Sequence, residues 1–209
     1  MSKIEIVNNF IVFEGLDGAG TTTQANLLAD KYNSLNIPYI NSCEPTMGFI
    51  GKAIREVLSG DIKVAPGTIA KLFASDRHEH LYNPENGILS RCLAGDSVIS
   101  DRYLFSSLAY QSLDYGFDNV MELNSAFPLP EHLFFLDVPA EICQQRLSSR
   151  DLIEIYEDHT LQESILNNYN RSLKFYGNSK MNIHILDGTL DKNELGKIIW
   201  SKLTVNPIS

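Results

Sequence analysis

The chain has 209 residues, of which 44% are hydrophobic and 21% charged, as is ordinary for a globular enzyme built around one core. Its formal net charge of −9 argues against a nucleic acid partner, because no surplus of Lys and Arg is present to neutralise a phosphate backbone. The three cysteines form no CxxC pair, which predicts free thiols in a reducing cytoplasm. Signal peptides and membrane spans need longer apolar stretches than this chain offers, so we expect no membrane partner.

The first element in chain order is a glycine-rich loop that follows a short apolar run at 10–13. Gly15 and Gly20 have the spacing of a phosphate-binding loop, and Thr22 fills the hydroxyl position of its consensus. In such a loop successive backbone N–H groups point at the nucleotide phosphates, and the next helix directs its positive end at the same anion. Thr21 stands where the consensus has lysine. The pattern therefore predicts phosphate binding without the usual ammonium, and the alternative is a tight strand-to-helix connection.

The rest of the chain alternates between apolar runs that predict buried strands and patterns that predict helices. Strands are predicted at 10–13, 39–40, 98–100, 133–138 and 183–186, and helices at 21–35, 48–59, 67–82, 86–94, 104–115, 139–149, 159–176 and 191–202. This alternation predicts an α/β fold, with a parallel sheet and helices on both faces. Ligands of such folds bind at the carboxyl ends of the strands. The residues at the first three of these ends are Glu14, Gly15, Glu44, Pro45, Asp101 and Arg102. The segment 114–130 is poorly informative.

Two neighbouring residues after the third predicted strand have side chains suited to phosphate chemistry. Asp101 is a candidate magnesium ligand, directly or through water, together with the loop hydroxyl of Thr22. The alternative for Asp101 is a surface or helix-capping carboxylate. Arg102 has the planar fork that suits two oxygens of an acceptor phosphate.

Two pairs of residues four apart are predicted to share one face of a helix each. Phe73 judged alone is more typical of a core residue, and only the resemblance given below implies that it stacks on a pyrimidine while Arg77 donates to a ring carbonyl. Arg146 and Arg150 can face one ligand together, and the alternative is that both are solvated.

Five segments taken together resemble the motifs of one family of P-loop kinases. They are FEGLDGAG at 13–20, CEP at 43–45, LFASDR at 72–77, DRY at 101–103 followed by SSLAYQ at 106–111, and DVPAEICQQRLSSRDLIEIYE at 137–157. With these segments the chain resembles the thymidylate kinases, which phosphorylate dTMP from ATP, and the matches run from residue 10 to about 176. Thr21 is a departure from the family pattern, because it removes the P-loop lysine.

The resemblance implies a three-layer P-loop NTPase fold, with a five-stranded parallel sheet, helices on both faces and a short lid. We expect a single domain over residues 1–209, with the lid at about 147–158, and a homodimer. The implied activity is transfer of the ATP γ-phosphate to dTMP, giving dTDP, with Mg²⁺ and the lid arginines supplying the charge that Thr21 does not. The alternatives are a nucleotide-binding pseudokinase and a kinase for another nucleoside monophosphate, such as dUMP.

The resemblance also implies roles for individual residues. Asp17 is expected to orient the sugar 3′-hydroxyl or a water, although it can instead cap the loop, and Arg55 can instead belong to a solvated helix face. The expected catalytic residues are Asp17, Arg102 and Arg150. The expected ATP-binding residues are Gly15, Leu16, Asp17, Gly18, Ala19, Gly20, Thr21, Thr22, Thr23 and Arg146. The expected dTMP-binding residues are Asp17, Glu44, Pro45, Arg55, Phe73, Arg77, Arg102, Ser106, Tyr110, Gln111 and Tyr156.

Overall fold

The computed structural model describes residues 5–147 and 159–204, and it contains the predicted parallel sheet. Its strands are β1 (Ile6–Gly15), β2 (Tyr39–Cys43), β3 (Ser97–Asp101), β4 (Leu129–Asp137) and β5 (Asn182–Asp187). They lie in the order β2-β3-β1-β4-β5, and every neighbouring pair is parallel. All five predicted strands are therefore confirmed. β1 starts four residues before its apolar run because a register irregularity between Val7 and Ile11 admits two asparagines, and Asn9 has φ 63° there.

Helices cover both faces of the sheet, so the α/β prediction is confirmed. The described helices are α1 (Thr21–Ser34), α2 (Phe49–Leu58), α3 (Pro66–Tyr82), α4 (Ile88–Leu93), α5 (Leu104–Tyr110), α6 (Ser112–Tyr115), α7 (Phe117–Asn124), α8 (Ala140–Leu147), α9 (His159–Tyr176) and α10 (Lys192–Thr204). Within the described ranges, no helix combines the length and the apolar character that a bilayer crossing requires.

The predicted helix at 104–115 is in fact two helices, α5 and α6, and a third, α7, lies in the segment that the sequence left open. Gly116 separates α6 from α7 with φ 84°, a left-handed conformation that glycine adopts without strain. Phe117 and Val120 of α7 are buried, so tertiary packing stabilises a helix of only eight residues.

The central position of β1 fixes where the functional loop lies. β1 pairs with β3 on one side and β4 on the other, and its residues from Phe10 to Gly15 are buried without interruption. The ring of Phe13 stacks on that of Phe134 from β4, with centroids 5.3 Å apart. This packing places the loop that follows Gly15 at the middle of the sheet's carboxyl edge.

The turn after β2 rests directly on α2, at Gly51. A Cβ atom built on Gly51 would lie 1.8 Å from the carbonyl oxygen of Thr46, so the turn needs a glycine beneath it. We therefore expect Gly51→Ala to destabilise the fold by about 1–3 kcal/mol, because the backbone of the turn must move away. Urea unfolding measures this change.

The matched control is Gly196→Ala on α10, where a Cβ atom meets no neighbour closer than 3.5 Å. There alanine should stabilise the fold by about 0.5–1 kcal/mol through helix propensity alone. Equal effects at Gly51 and Gly196 would contradict the seating of the turn on α2.

Candidate active site

A cavity of about 810 Å³ opens at the carboxyl ends of the strands and brings most of the predicted site residues together. The predicted residues that line it are Asp17, Gly18, Ala19, Gly20, Thr21, Thr22, Thr23, Glu44, Pro45, Arg55, Phe73, Asp101, Arg102, Ser106, Tyr110, Gln111 and Arg146. Gly15, Leu16 and Arg77 lie outside its lining. Arg150 and Tyr156, with most of the predicted lid, lie outside the described residues.

The glycine loop has the backbone path that its spacing predicts. Gly18 and Gly20 have φ values of 87° and 99°, which side-chain-bearing residues rarely adopt. The N–H of Ala19 donates to the oxygen of Leu16 at 2.9 Å, and α1 begins at Thr21. The positive end of α1 therefore faces the cavity at the end of the loop.

Thr22 and Asp101 meet in the lining of the cavity as a candidate cation site. The hydroxyl of Thr22 donates to Oδ2 of Asp101. Oδ1 of Asp101 is buried and has no hydrogen-bond partner within the part of the chain that the structure describes. A carboxylate oxygen without a partner, beside a hydroxyl and a phosphate loop, is the kind of donor set that Mg²⁺ accepts.

Arg102 lies between the glycine loop and α5, in contact with Asp17. Its Nη2 donates to Oδ1 of Asp17 at 2.6 Å, and its Nη1 donates to the carbonyl oxygen of Gly15. Its guanidinium lies 5.6 Å from the ring centre of Tyr110, whose hydroxyl accepts the N–H of Asp17 at 3.1 Å. Burial raises the pKa of Tyr110 well above its usual value, so this hydroxyl stays protonated. Three predicted residues thus form one connected group.

Arg55 reaches the turn after β2 from α2. Its two terminal nitrogens donate to the carbonyl oxygens of Thr46 at 2.6 Å and Pro45 at 2.5 Å. Thr46 is itself held by Asp76 of α3, whose carboxylate accepts from both its N–H and its hydroxyl at 2.6 Å. Phe73, also on α3, lines the same end of the cavity.

Arg77 does not point into the cavity, although it shares α3 with Phe73. Its side chain is 1% exposed, and Nη2 donates to Glu44 at 2.6 Å and to Ser107 at 3.0 Å, while Nη1 donates to Asn124. The guanidinium also lies 5.2 Å from the ring centre of Tyr103. In this structure Arg77 supports Glu44 from behind the cavity wall, and its contact with a base stays a prediction.

Several lining residues were missed by the sequence reasoning. They are Gln24, Cys43, Leu58, Gly188, Leu190, Asp191, Lys192 and Leu195. Five of them, from Gly188 to Leu195, follow β5, so applying the strand-end rule to the fifth strand would have found this group. The others lie on the walls with no chemical signal of their own.

Glu14, which the sequence places at a strand end without assigning it a role, is buried at the end of β1 behind Arg102. Its Oε1 accepts the N–H groups of Tyr103 at 2.8 Å and Ser106 at 3.2 Å, and its Oε2 accepts hydroxyls from Ser106 at 2.5 Å and Tyr169 at 3.0 Å. Burial raises the pKa of Glu14 to about 7, although Arg102 and these hydrogen bonds act against the rise.

The elevated pKa of Glu14 predicts a pH dependence of stability. In the folded chain Glu14 keeps its proton up to about pH 7, compared with about 4.5 for an ordinary glutamate. The unfolded chain therefore binds fewer protons between these values, and the stability contributed by this group falls as the pH rises from 4.5 to 7. The shift corresponds to about 3 kcal/mol over the whole window.

The variant Glu14→Gln lacks this titration. Urea unfolding of both proteins between pH 4.5 and 8 should show the wild-type chain losing stability relative to the variant as the pH rises. A difference that is constant across this range would mean that Glu14 is ionised throughout.

Comparison with known proteins identifies relatives over nearly the whole chain. The family model for thymidylate kinase matches residues 13–199. A putative thymidylate kinase of Treponema pallidum (strain Nichols) is 42% identical over 168 residues, which cover 79% of this chain and 79% of that protein. A probable thymidylate kinase of Methanococcus aeolicus is 38% identical over 200 residues, which cover 94% of this chain and 96% of that protein.

The fold is also similar to that of a solved structure, the thymidylate kinase of Candida albicans. The TM-score is 0.77 at 23% identity, and the match covers 94% of this chain and 91% of the other. The family model, the two relatives and the P-loop architecture agree, and the chain therefore belongs to the thymidylate kinase family.

Proposed function

We propose that the chain transfers the γ-phosphate of ATP to dTMP, giving dTDP and ADP. One observation carries this proposal: a single cavity joins the glycine loop to a second group of side chains suited to a nucleoside monophosphate. Arg102, Phe73 and Gln111 belong to that second group. A phosphotransferase needs two nucleotides in one enclosure, with the donor and acceptor phosphates adjacent.

The acceptor end of the cavity has features that suit a pyrimidine. Phe73 offers an aromatic face to the cavity that Tyr110 and Gln111 also line. Oε1 of Gln111 is buried and has no hydrogen-bond partner among the described residues. Since a buried acceptor without a donor costs about 1–3 kcal/mol, a ring N–H from thymine would stabilise the complex by satisfying it. Uracil has the same N–H, so dUMP is the acceptor to compare.

The positive charge at the donor phosphates is proposed to come from Arg146 in place of the absent lysine. Nη1 of Arg146 donates to the oxygens of Gly18 at 3.2 Å and Ala19 at 3.3 Å, which sets its guanidinium against the glycine loop. A Cβ atom on Gly18 would lie 2.6 Å from the oxygen of Cys143. The glycine therefore lets α8 approach closely enough for Arg146 to reach the loop.

The chain's own residues then act by positioning and by charge. Arg102 holds the acceptor phosphate so that one of its oxygens attacks the γ-phosphorus in line with the departing ADP oxygen, and Asp17 orients the deoxyribose. Mg²⁺ is the proposed cofactor, held by Thr22 and Asp101, and when bound it neutralises charge on the donor phosphates.

The remaining parts of the proposal are a single domain with a lid at about 147–158, a homodimer and a cytoplasmic location.

The direct test of the function is a coupled assay with ATP, Mg²⁺ and a panel of dTMP, dUMP, UMP and thymidine. We expect turnover with dTMP to exceed that with each of the others. Nucleotide binding without turnover on any acceptor would favour the pseudokinase alternative, which the absence of the P-loop lysine motivates. A preference for thymidine would reject the proposed role of Arg102, because that substrate has no phosphate.

Removal of the Arg146 guanidinium tests the proposed source of charge. Arg146→Ala should lower kcat/KM for ATP by about 10- to 100-fold, the loss expected when a charged hydrogen-bond donor is removed. The matched control is Arg91→Ala, because Arg91 pairs with Asp96 at 2.6 Å on α4 and does not line the cavity.

Restoring the consensus lysine makes this test sharper. In a Thr21→Lys background the loss caused by Arg146→Ala should shrink, since the two cations would serve the same phosphates. Equal losses in both backgrounds would contradict the replacement of the lysine by Arg146.

A further inference from the structure

Tyr169 of α9 reaches the reaction centre from behind, without lining the cavity. Its side chain is completely buried, and its hydroxyl accepts a hydrogen bond from Nη1 of Arg102 at 2.8 Å. The same hydroxyl lies 2.9 Å from Oγ of Ser106 and donates to Oε2 of Glu14 at 3.0 Å. Three side chains, from β1, from the turn after β3 and from α5, therefore meet at the phenolic oxygen of Tyr169.

The number of protons on each group determines in which direction the hydroxyl groups of Tyr169 and Ser106 donate. A tyrosine or serine hydroxyl has one proton and two lone pairs. When Glu14 is ionised, above its raised pKa of about 7, Tyr169 and Ser106 both donate to its Oε2, at 3.0 and 2.5 Å. Their lone pairs then face Nη1 of Arg102, which lies 2.8 Å from Tyr169 and 3.3 Å from Ser106. Burial raises the pKa of Tyr169 well above its usual value, so its proton is retained.

The backbone of Arg102 alone does not explain where its guanidinium lies. Arg102 has φ 80°, a left-handed conformation that is rare for this residue type, and its N–H donates to Phe13 at 2.9 Å. A long side chain on such a backbone has several accessible rotamers, and ordering it costs entropy. The contacts with Tyr169, Gly15 and Asp17 select one of them.

The ring and the hydroxyl of Tyr169 have separable roles. The ring packs edge-on against Tyr110, with centroids 6.1 Å apart, and at a tilt of 55° against Phe135, with centroids 5.2 Å apart. The hydroxyl makes the polar contacts with Arg102 and Glu14. A phenylalanine at this position keeps the ring contacts and removes only the hydroxyl.

We propose that Tyr169 is a positioning residue for the acceptor phosphate: its hydroxyl, oriented by Glu14, holds the Arg102 guanidinium in the place where that phosphate binds. The inference rests on the proposed function and deepens it. Tyr169 touches neither nucleotide, and it acts only through Arg102. The donor side of the cavity, at the glycine loop and the residues after β5, is independent of it.

The variant Tyr169→Phe separates this role from a structural one by comparing the two substrates. We expect kcat/KM for dTMP to fall about tenfold, because a hydrogen bond to a charged group is lost. The KM for ATP should change less than twofold. Equal losses for both substrates would overturn the proposal in favour of a general structural role.

Tyr176→Phe is the matched control on the same helix. Tyr176 is also buried, packs edge-on against Phe105, and directs its hydroxyl at Sδ of Met121, 3.4 Å away and outside the cavity. Removing that hydroxyl should leave both kinetic constants within twofold of the wild type. If kcat/KM for dTMP fell tenfold in this variant as well, the loss in Tyr169→Phe would not be specific to Tyr169, and the proposal would be overturned.

A double-mutant cycle tests whether Tyr169 acts through Arg102. In an Arg102→Ala background, Tyr169→Phe should change dTMP affinity, measured by calorimetry, less than twofold, since the group that it positions is gone. A further tenfold loss there would overturn the proposal.

The placement of Arg102 can also be measured without turnover. Crystal structures of the wild type and of Tyr169→Phe should differ in the Arg102 side chain, and unchanged contacts would overturn the positioning role. A wild type that does not phosphorylate dTMP would instead refute the proposed function, so the two failures are distinguishable.

Discussion

The carboxyl group of Glu14 ends β1 and joins the elements that surround the reaction centre. One oxygen accepts the N–H groups of Tyr103 and Ser106, which fixes the turn after β3 and the start of α5, while the other accepts the hydroxyl of Tyr169 from α9. A carboxylate at the start of a helix is also favoured by the helix dipole. Burying it is still costly, and its pKa of about 7 reflects that cost. An apolar residue at this position would leave these N–H and hydroxyl donors without their partner.

The positive charge beside the glycine loop comes from Arg146, which packs against the loop, rather than from a side chain of the loop itself. Thr21 is buried at the start of α1 and supplies no cation. Arg146 lies against the loop from α8, and it also donates to the oxygen of Gly188 at 3.2 Å, so it joins the loop to the residues that follow β5. Gly18 permits this approach, since a side chain there would collide with α8. An arginine in this position is a broad, always charged donor, which suits several phosphate oxygens better than a point charge does.

The strands and the loop could be predicted from the sequence because their signals are local. The run at 10–13 and the spacing of Gly15 and Gly20 each depend on neighbours in the chain, and the parallel order follows from alternating elements. The division of 104–124 into three helices could not be predicted, because buried contacts of Phe117 and Val120, rather than periodicity, stabilise the last of them. The sequence placed Glu14 at the end of a strand, but its contact with Tyr169 gave no signal, since 155 residues separate them and only the fold brings them together.

Arg77 shows that a sequence motif can predict which residue lies near the site without predicting where its side chain points. Helical spacing correctly puts Phe73 and Arg77 on α3, but the guanidinium turns to Glu44, Ser107 and Asn124 instead of the cavity. Removing the Arg77 guanidinium from the buried Glu44 carboxylate would cost several kcal/mol, roughly the penalty for breaking a buried ion pair. Glu44 itself lines the cavity, with His80 at 3.1 Å from its other oxygen. Nε of Arg77 is buried and has no partner among the described residues, so it is a donor that could serve a bound base while the ion pair with Glu44 persists.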